Sequence, residues 1–192
     1  MTMPSSDDVV LLDESGRPVA SVSRSTVHPT EKPVHLFFSC HVLNSSGQVL
    51  LTRRRPSANG EAWTSSFDGH PREAEPVVTA VRRRADHSLG LELDDLELAL
   101  SLRYRSTGAS GADEMTMCPV YIASCSAEPA PHPLEIADHT WADPGELGEA
   151  IRSRPWDFSP SLVFQASVLP LLGGSSAGLA SSGRRTEHRA LA

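Results

Sequence analysis

Short apolar runs alternate with turn residues along the first part of the chain and predict β-strands. Aliphatic residues at 9–12, and again after the interruption at Gly16 and Pro18, predict a first hairpin. Extended patterns at residues 36–40 and 48–52, separated by a turn at 44–47, predict a second hairpin.

The longest helical pattern follows residues 63–71. Positions 68–71, Asp-Gly-His-Pro, are typical of a turn. Apolar residues then repeat at helical spacing from Ala74 to Leu89, and Gly90 is a typical helix end, so a helix is predicted over residues 74–89. We expect the rest of the chain to be organised around this loop and helix.

The second half of the chain is predicted to contain three more strands and two helices. The strands are expected at residues 96–104, at 115–124 and near 139–141, and the helices at 144–152 and 160–172. Residues 173–192 are small and polar and cannot offset their ordering entropy by burial, which predicts a disordered tail. The pattern therefore predicts one domain over residues 8–172, preceded by a flexible stretch at 1–7.

Composition narrows the class of function. The chain has 192 residues, 39% of them hydrophobic, which suits a single domain with its own core. A net charge of −7 argues against a nucleic-acid partner, because such partners require clustered lysine and arginine. Three cysteines without a paired spacing, and no apolar run long enough to span a bilayer, predict a cytoplasmic protein without membrane insertion. A monomer or a weak homodimer is expected.

One set of residues resembles the signature of Nudix hydrolases. The G-x5-E-x7-R spacing, with a later glycine and apolar residue, is met by Gly69, Glu75, Arg83, Gly90 and Leu91. The glutamate cluster that holds the catalytic metals of those enzymes is absent, because residues 84–88 are Arg-Ala-Asp-His-Ser. Nudix pyrophosphohydrolysis is therefore the least favoured hypothesis.

A second resemblance is more specific and covers roughly residues 8–170. The chain is similar to type 1 isopentenyl-diphosphate isomerases through motifs that occur in the same order, at positions 28, 35–36, 51–54, 63–64, 69–71, 103–105, 114, 118–120 and 155–160. The resemblance implies an α+β fold, a Nudix-like α/β/α sandwich with a mixed sheet. It also implies metal-dependent chemistry on a prenyl diphosphate, in which an alkene is protonated and a proton leaves the opposite face.

The resemblance implies a divalent metal bound by His28, His35, His70 and Glu114. Imidazole and carboxylate ligands suit Mn²⁺ or Zn²⁺, and Mg²⁺ where oxygen ligands dominate. A further Mg²⁺ is expected on the diphosphate of the substrate. Any one of these histidines alone is more simply explained as a solvated residue or as a core residue with a polar partner. The prediction of a metal site therefore rests on the four residues together.

Arginines are the expected ligands of the diphosphate. Arg24, Arg53 and Arg54 correspond to positions at which the family binds this group, and Arg84 is expected to add to them. Guanidinium groups match phosphate oxygens in geometry and keep their charge, which fits this role.

Four functional positions of the family are changed together in this sequence. Asp68 stands where the family has its catalytic cysteine, and Thr116 where it has a catalytic glutamate that also touches the metal. Ser161 replaces a tryptophan that faces the carbocation. Ser88 replaces a helix glutamate that helps to hold the diphosphate-bound Mg²⁺.

These changes predict an altered reaction. Isomerisation needs a proton donor and a proton acceptor, and threonine cannot be the acceptor. Asp68 is expected to act as the acid, provided that an apolar pocket keeps a proton on it, with Tyr104 nearby to polarise or relay. Phe67, Trp156 and Ser161 are expected to line the pocket, where the loss of the indole leaves space for a longer chain.

The leading hypothesis is a cyclisation started by protonation of a prenyl diphosphate longer than five carbons, with the diphosphate retained. The alternative is isopentenyl-diphosphate Delta-isomerisation, with Asp68 as the acid and Tyr104 or a metal-bound water as the base. A module that binds the diphosphate without turnover is the further alternative.

Overall fold

The computed structural model describes residues 8–13, 15–23, 34–55, 62–107 and 113–172. Within these ranges it contains ten strands: β1 (Asp8–Leu12), β2 (Pro18–Ser23), β3 (Val34–Leu36), β4 (Phe38–Leu43), β5 (Val49–Arg54), β6 (Trp63–Thr64), β7 (Phe67–Gly69), β8 (Leu96–Thr107), β9 (Asp113–Ser124) and β10 (Ile136–Ala142). The helices in the same ranges are α1 (Val77–Leu89), α2 (Pro144–Ser153) and α3 (Pro160–Val168), with 3₁₀ turns at Pro155–Asp157 and Pro170–Leu172.

The strands form one mixed sheet. Its main path runs β10-β5-β4-β9-β3-β1-β2, and β6, β7 and β8 pair with β5, β4 and β9 respectively. Both β3 and β4 run parallel to β9, whereas β8 is antiparallel to it. Residues of three other strands therefore meet along β9.

Helices cover both faces of this sheet. On one face, α1 packs Leu89 into a core that includes Phe67. On the other face, α2 and α3 pack Ile151 and Leu162 into a second core that includes Val120 of β9. This arrangement is the α/β/α sandwich with a mixed sheet that the sequence predicted. Both predicted hairpins, the later strands and α2 are also confirmed.

The helix after the predicted turn begins three residues later than expected, at Val77. Proline disfavours helical backbone angles in the residue before it, so Pro76 prevents the helix from extending back through Glu75. Ala74 has a φ of 57°, in the left-handed region. The predicted end is confirmed, because Gly90 has a φ of 62° and its N–H donates to the last turn of the helix.

Two other predicted boundaries are wrong. Asp68 is part of β7 rather than of a turn, because its backbone pairs with Ser39 of β4. The last helix ends at Val168 rather than at residue 172, because Pro170 lacks the N–H that a continuing helix needs.

An ion pair fixes the segment between β7 and α1. Arg83 Nε donates to Glu75 Oε1 at 2.7 Å, and Arg83 Nη2 donates to the other carboxylate oxygen at 2.8 Å. Arg83 Nη2 also donates to the backbone oxygen of His70 at 3.4 Å. The hydrogen bond from Arg83 lowers the pKa of Glu75, although partial burial opposes that shift. The glutamate and arginine of the G-x5-E-x7-R spacing thus position the loop that carries His70.

Several predictions fall on parts of the chain for which no structure is described. Arg24 and His28 lie outside the described residues, as do the expected flexible N-terminus at 1–7 and the expected disordered tail at 173–192. The backbone of Glu114 belongs to β9, but its side chain lies outside the described part. No helix in the described ranges is both long enough and apolar enough to cross a membrane.

A buried polar network ties α3 to the sheet. His41 of β4 is fully buried, and its Nε2 donates to Gln165 Oε1 of α3 at 2.7 Å. Ser39 Oγ donates to the same oxygen at 3.2 Å. Burial lowers the pKa of His41 to about 4, even though the hydrogen bond to Gln165 favours the protonated ring. His41 is therefore neutral in the folded protein at neutral pH.

The buried histidine makes stability depend on pH. Between pH 6.5 and 4 the unfolded chain binds a proton at His41 that the folded protein does not bind, so stability falls as the pH drops. Lowering the pH from 7 to 5 is expected to cost about 2 kcal/mol of unfolding free energy through this residue. Chemical denaturation at both pH values checks this. A His41→Gln variant, compared with itself at the two pH values, should lose about that much less than the wild-type protein, and equal losses would contradict the prediction.

Candidate active site

Asp68 lies on β7 with its side chain 16% exposed, and it accepts a hydrogen bond from Arg54 Nη2. Strand alternation turns Asp68 away from the core that holds its neighbour Phe67. The expectation of an apolar pocket around Asp68 is corrected, because the carboxylate lies on a guanidinium. The Asp68 carboxylate accepts a hydrogen bond from Arg54. Another anion that binds the Arg54 guanidinium would take the place of this carboxylate.

Tyr104 of β8 and Cys118 of β9 form the wall next to Asp68. Burial raises the pKa of the Tyr104 hydroxyl above its ordinary value, and its neighbours Cys118 and Asp68 raise it further. Burial likewise raises the pKa of the Cys118 thiol to about 12. Both groups keep their protons at neutral pH, so the hypothesis that Tyr104 replaces the missing base is not favoured.

The sequence did not assign Cys118 to the site, although this core residue lies close enough to Tyr104 and Asp68 for both to affect the pKa of its thiol. The alternation of side chains along the strands could have indicated the position of Cys118. Tyr104 pairs with Thr116 across β8 and β9, and Cys118 lies two residues further along β9 on the same face. The Tyr104 hydroxyl and the Cys118 thiol lie close enough for each to affect the pKa of the other.

Two of the four expected metal ligands meet at the other end of this wall. The ring centres of His35 and His70 lie 5.6 Å apart, tilted by 32°. Thr116 is buried, and its Oγ1 is 3.3 Å from His35 Nε2. The position at which the family has a glutamate is thus occupied by a neutral hydroxyl that contacts one of the histidines.

The geometry of the two histidines is compatible with a shared ion. With metal–nitrogen bonds of about 2.1 Å, the centres of two imidazoles on one ion lie on the order of 5 Å apart, close to the observed spacing. Within the described residues, no group of three or more histidine, cysteine, aspartate or glutamate side chains is arranged to hold a metal. His35 and His70 therefore fit a divalent ion as two ligands of a larger set.

Of the arginines expected to bind the diphosphate, the three that the structure describes are each paired with a carboxylate. Arg53 donates to Asp138 at 2.8 Å and lies over the ring of Trp63, 4.7 Å from its centre. Arg54 contacts Asp68. Arg84 lies 3.0 Å from Glu135 Oε2. A diphosphate would have to displace these carboxylates or share the guanidinium groups with them.

Glu135 was not predicted from the sequence as a site residue. Its carboxylate contacts polar side chains from the second half of α1. Ser88 Oγ donates to Glu135 Oε2 at 3.1 Å, and His87 Nε2 lies 2.9 Å from Oε1. Although burial opposes it, the pairing with Arg84 leaves the pKa of Glu135 below its ordinary value. No local signal could have found Glu135, because 47 residues separate it from Ser88.

The three residues expected to line the pocket have different positions. Phe67 is 2% exposed and packs in the core under α1, so its assignment to the pocket is wrong. Trp156 is 74% exposed and lines an apolar groove beside α3. Ser161 is half-buried at the start of α3, with its Oγ 3.1 Å from Ser159 Oγ.

Comparison with known proteins identifies the family of this chain. Residues 33–162 match the NUDIX domain. An isopentenyl-diphosphate Delta-isomerase of Agromyces mediolanus is 52% identical over 173 residues, 88% of this chain and 84% of that protein. Another, of Leifsonia xyli subsp. xyli, is 42% identical over 179 residues, 89% of this chain and 95% of that protein. This chain belongs to the isopentenyl-diphosphate Delta-isomerase family.

Solved structures support the fold of this family member. A protein of Deinococcus radiodurans, DR0079, superposes with a TM-score of 0.59 at 24% identity, covering 76% of this chain and 89% of that one. RenU, a Nudix hydrolase from M. smegmatis, superposes with a TM-score of 0.51 at 17% identity, covering 91% and 98%. These likenesses concern the fold alone, and they confirm the predicted Nudix-like architecture.

The Arg54–Asp68 pair generates a prediction about anion binding. Replacing Arg54 with Met is expected to weaken the binding of inorganic pyrophosphate with Mg²⁺ at least about tenfold, because a charge-assisted hydrogen bond is lost. Titration calorimetry measures the affinity. Arg82→Met is the matched control, since Arg82 donates to the backbone oxygen of Leu93 on the outer side of α1. Equal affinities for the Arg54→Met variant and the wild-type protein would contradict the assignment.

Proposed function

We propose that this protein interconverts the double-bond isomers of a prenyl diphosphate, isopentenyl diphosphate and dimethylallyl diphosphate. The names of its relatives favour this reaction, the alternative from sequence, over the cyclisation that was placed first. The observation that carries the proposal is the carboxylate of Asp68, which contacts Arg54 and lies close enough to Tyr104 to affect its ionisation. This contact supports a site in which one group binds the diphosphate and its neighbour transfers the proton.

The proposed roles follow from these contacts. Arg54 binds the diphosphate, which frees Asp68 to take part in proton transfer. The released Asp68 carboxylate takes a proton from solvent, and its acid form adds that proton to the terminal carbon of the double bond, which leaves a positive charge on the neighbouring tertiary carbon. A proton then leaves the adjacent methylene, and the double bond forms there. Tyr104 and Cys118 keep their protons and orient Asp68 by lining its wall.

The identity of the proton acceptor distinguishes this protein from its family. Thr116 has no group that accepts a proton from carbon, and the Tyr104 hydroxyl stays protonated. Asp68 is left as a carboxylate by the first step and can take up the second proton on the same face. A divalent ion held by His35 and His70 would supply positive charge near the substrate. Mg²⁺ on the diphosphate and Mn²⁺, Zn²⁺ or Mg²⁺ at the histidines are the proposed cofactors.

Isomerase activity is tested in deuterated water. The purified protein with Mg²⁺ and isopentenyl diphosphate should give dimethylallyl diphosphate with deuterium in a methyl group, observed by NMR. Asp68→Asn is expected to lower the rate by about 10²- to 10⁴-fold, because the proton-transfer group is removed. Asp86→Asn, at an exposed position on α1, is the matched control and should keep the rate. Full activity of folded Asp68→Asn would refute the assigned role, and binding without turnover would point to the diphosphate-binding module instead.

Cyclisation of a longer prenyl diphosphate remains a second proposal. The buried Thr116 hydroxyl favours cyclisation, because it does not accept a proton from carbon. A carbocation beside Thr116 would then persist until another double bond of the substrate captures it. Incubation with diphosphates of five, ten, fifteen and twenty carbons, followed by dephosphorylation and mass spectrometry, distinguishes the two reactions. Cyclic products from the longer substrates, without labelled five-carbon product, would support cyclisation over isomerisation.

Position 116 should control the balance between these outcomes. Thr116→Glu restores a proton acceptor beside His35 and is expected to raise the five-carbon isomerisation rate at least about tenfold. Thr116→Gln has the same shape without the acid and controls for the altered packing of the buried site. The rates are compared after both variants are shown to be folded by circular dichroism. An equal increase in both variants, or none in folded Thr116→Glu, would contradict the role given to this position.

A further inference from the structure

A second arginine–carboxylate pair lies beside the pair formed by Arg54 and Asp68. Arg84 Nη2 donates to Glu135 Oε2 at 3.0 Å. The stem of Arg84 passes directly over Gly69, the residue after Asp68, since a methyl group built on Gly69 would lie 3.2 Å from Arg84 Cγ. Both ion pairs therefore border the same short segment of β7.

The sheet fixes the position of Glu135 next to the proposed diphosphate site. Glu135 directly precedes β10, and its backbone oxygen accepts a hydrogen bond from the N–H of Arg55 at 2.9 Å. The next residue, Ile136, pairs with Arg54 across β10 and β5. The backbone of Glu135 is thus one residue away from the pairing partner of Arg54.

The Arg84–Glu135 pair leaves one donor of the guanidinium unused. Arg84 Nε is buried, and within the described residues it has no hydrogen-bond partner. A buried N–H of this kind is costly without an acceptor, and a phosphate oxygen would satisfy it with a charge-assisted hydrogen bond. The side chain of Glu135 is 31% exposed. The pair therefore offers a donor for an anion and an accessible carboxylate for a cation.

The complex of Mg²⁺ with a diphosphate contains both of these charges. In phosphate sites Mg²⁺ usually keeps several waters and is bound by one or two carboxylates together with phosphate oxygens. One carboxylate is sufficient for such a site, so it does not require a larger cluster of metal ligands, and none is found among the described residues. Burial raises the pKa of Glu135, but the pairing with Arg84 outweighs this effect and leaves the pKa below its ordinary value. Glu135 is thus ionised at neutral pH, as a magnesium ligand must be.

We propose that Glu135 binds the Mg²⁺ ion that accompanies the diphosphate, while Arg84 binds a phosphate oxygen. The inference rests on the proposed function, since it takes the diphosphate to lie at Arg54. When the magnesium diphosphate binds, the Arg84–Glu135 pair opens and each partner exchanges its opposite charge for one of the ligand. Ser88 Oγ donates to Glu135 Oε2 at 3.1 Å and keeps the carboxylate in place when the guanidinium leaves.

Pyrophosphate binding with and without Mg²⁺ tests the role of Glu135. Titration calorimetry on the full chain measures the affinity in the presence of a chelator and at a fixed Mg²⁺ concentration, and the ratio of the two is the Mg²⁺ enhancement. Loss of a group that only contacts a metal ligand lowers metal affinity by about 10- to 100-fold, so Glu135→Gln is expected to reduce the enhancement at least about tenfold. Its affinity for pyrophosphate without metal should stay equal or increase, because a negative charge beside Arg84 is removed.

Two further variants control for charge and for the arginine. Glu128→Gln is the matched control, since Glu128 is exposed in the same connection between β9 and β10. It should keep the full enhancement. Arg84→Met should weaken pyrophosphate binding without metal but keep the enhancement, because Glu135 is retained. Circular dichroism shows whether each variant is folded, and glutamine at position 135 preserves the shape of the side chain.

The outcomes separate this inference from the proposed function. An equal Mg²⁺ enhancement in folded Glu135→Gln and in the wild-type protein would overturn the assignment of Glu135 and leave the site at Arg54 intact. Tighter binding by Glu135→Gln both with and without Mg²⁺ would also overturn it, because the carboxylate would then only oppose the anion. If the wild-type protein binds no pyrophosphate in either condition, the proposed function fails and the inference fails with it. An enhancement that is lost in Glu135→Gln and kept in Glu128→Gln supports Glu135 as the magnesium ligand.

Discussion

The pairing of three strands along β9 is the constraint on which the candidate site depends. His35 of β3 and Tyr104 of β8 both lie opposite Thr116 in the register of the sheet. Ser39 of β4 pairs with β9 on one side and with Asp68 of β7 on the other. Hydrogen-bonded strands lie about 4.8 Å apart, so these ladders bring residues from distant parts of the chain within contact range. A slip of one residue in β9 would turn Thr116 and its neighbours to the opposite face.

In the proposed anion-binding part of the site, the described arginines are paired with carboxylates. Arg53, Arg54 and Arg84 each contact a carboxylate from another strand, loop or turn. The Arg53–Asp138 pair is exposed and contributes little stability, whereas the Arg54 and Arg84 pairs are partly buried. An incoming diphosphate with several charges would compete with the carboxylates of all three pairs. The Arg54–Asp68 pair differs from the other two, because its carboxylate belongs to the proposed chemistry. In the proposed function, binding of the substrate and release of the reacting group are linked at one guanidinium.

The changed positions have coherent physical effects. A glutamate at position 88 would place a second carboxylate next to Glu135, and two such charges about 3 Å apart repel strongly. Ser88 instead donates a hydrogen bond to Glu135, which Arg84 also contacts. At position 116 a hydroxyl replaces a charge beside His35, so the site loses negative charge on the metal side. Asp68 adds a carboxylate on β7, so the acidic group of the site moves from β9 to β7.

The sequence by itself determined the strands and the order of helices, because these follow from local patterns of apolar residues, glycine and proline. The resemblance to a known family implied the fold, and it predicted that His35, His70, Asp68 and Tyr104 belong to one site. It could not identify the partner of Asp68, the core position of Phe67 or the role of Glu135. Those depend on which strands pair and in which register, and such contacts join residues that no local pattern relates. Only the tertiary structure decided them.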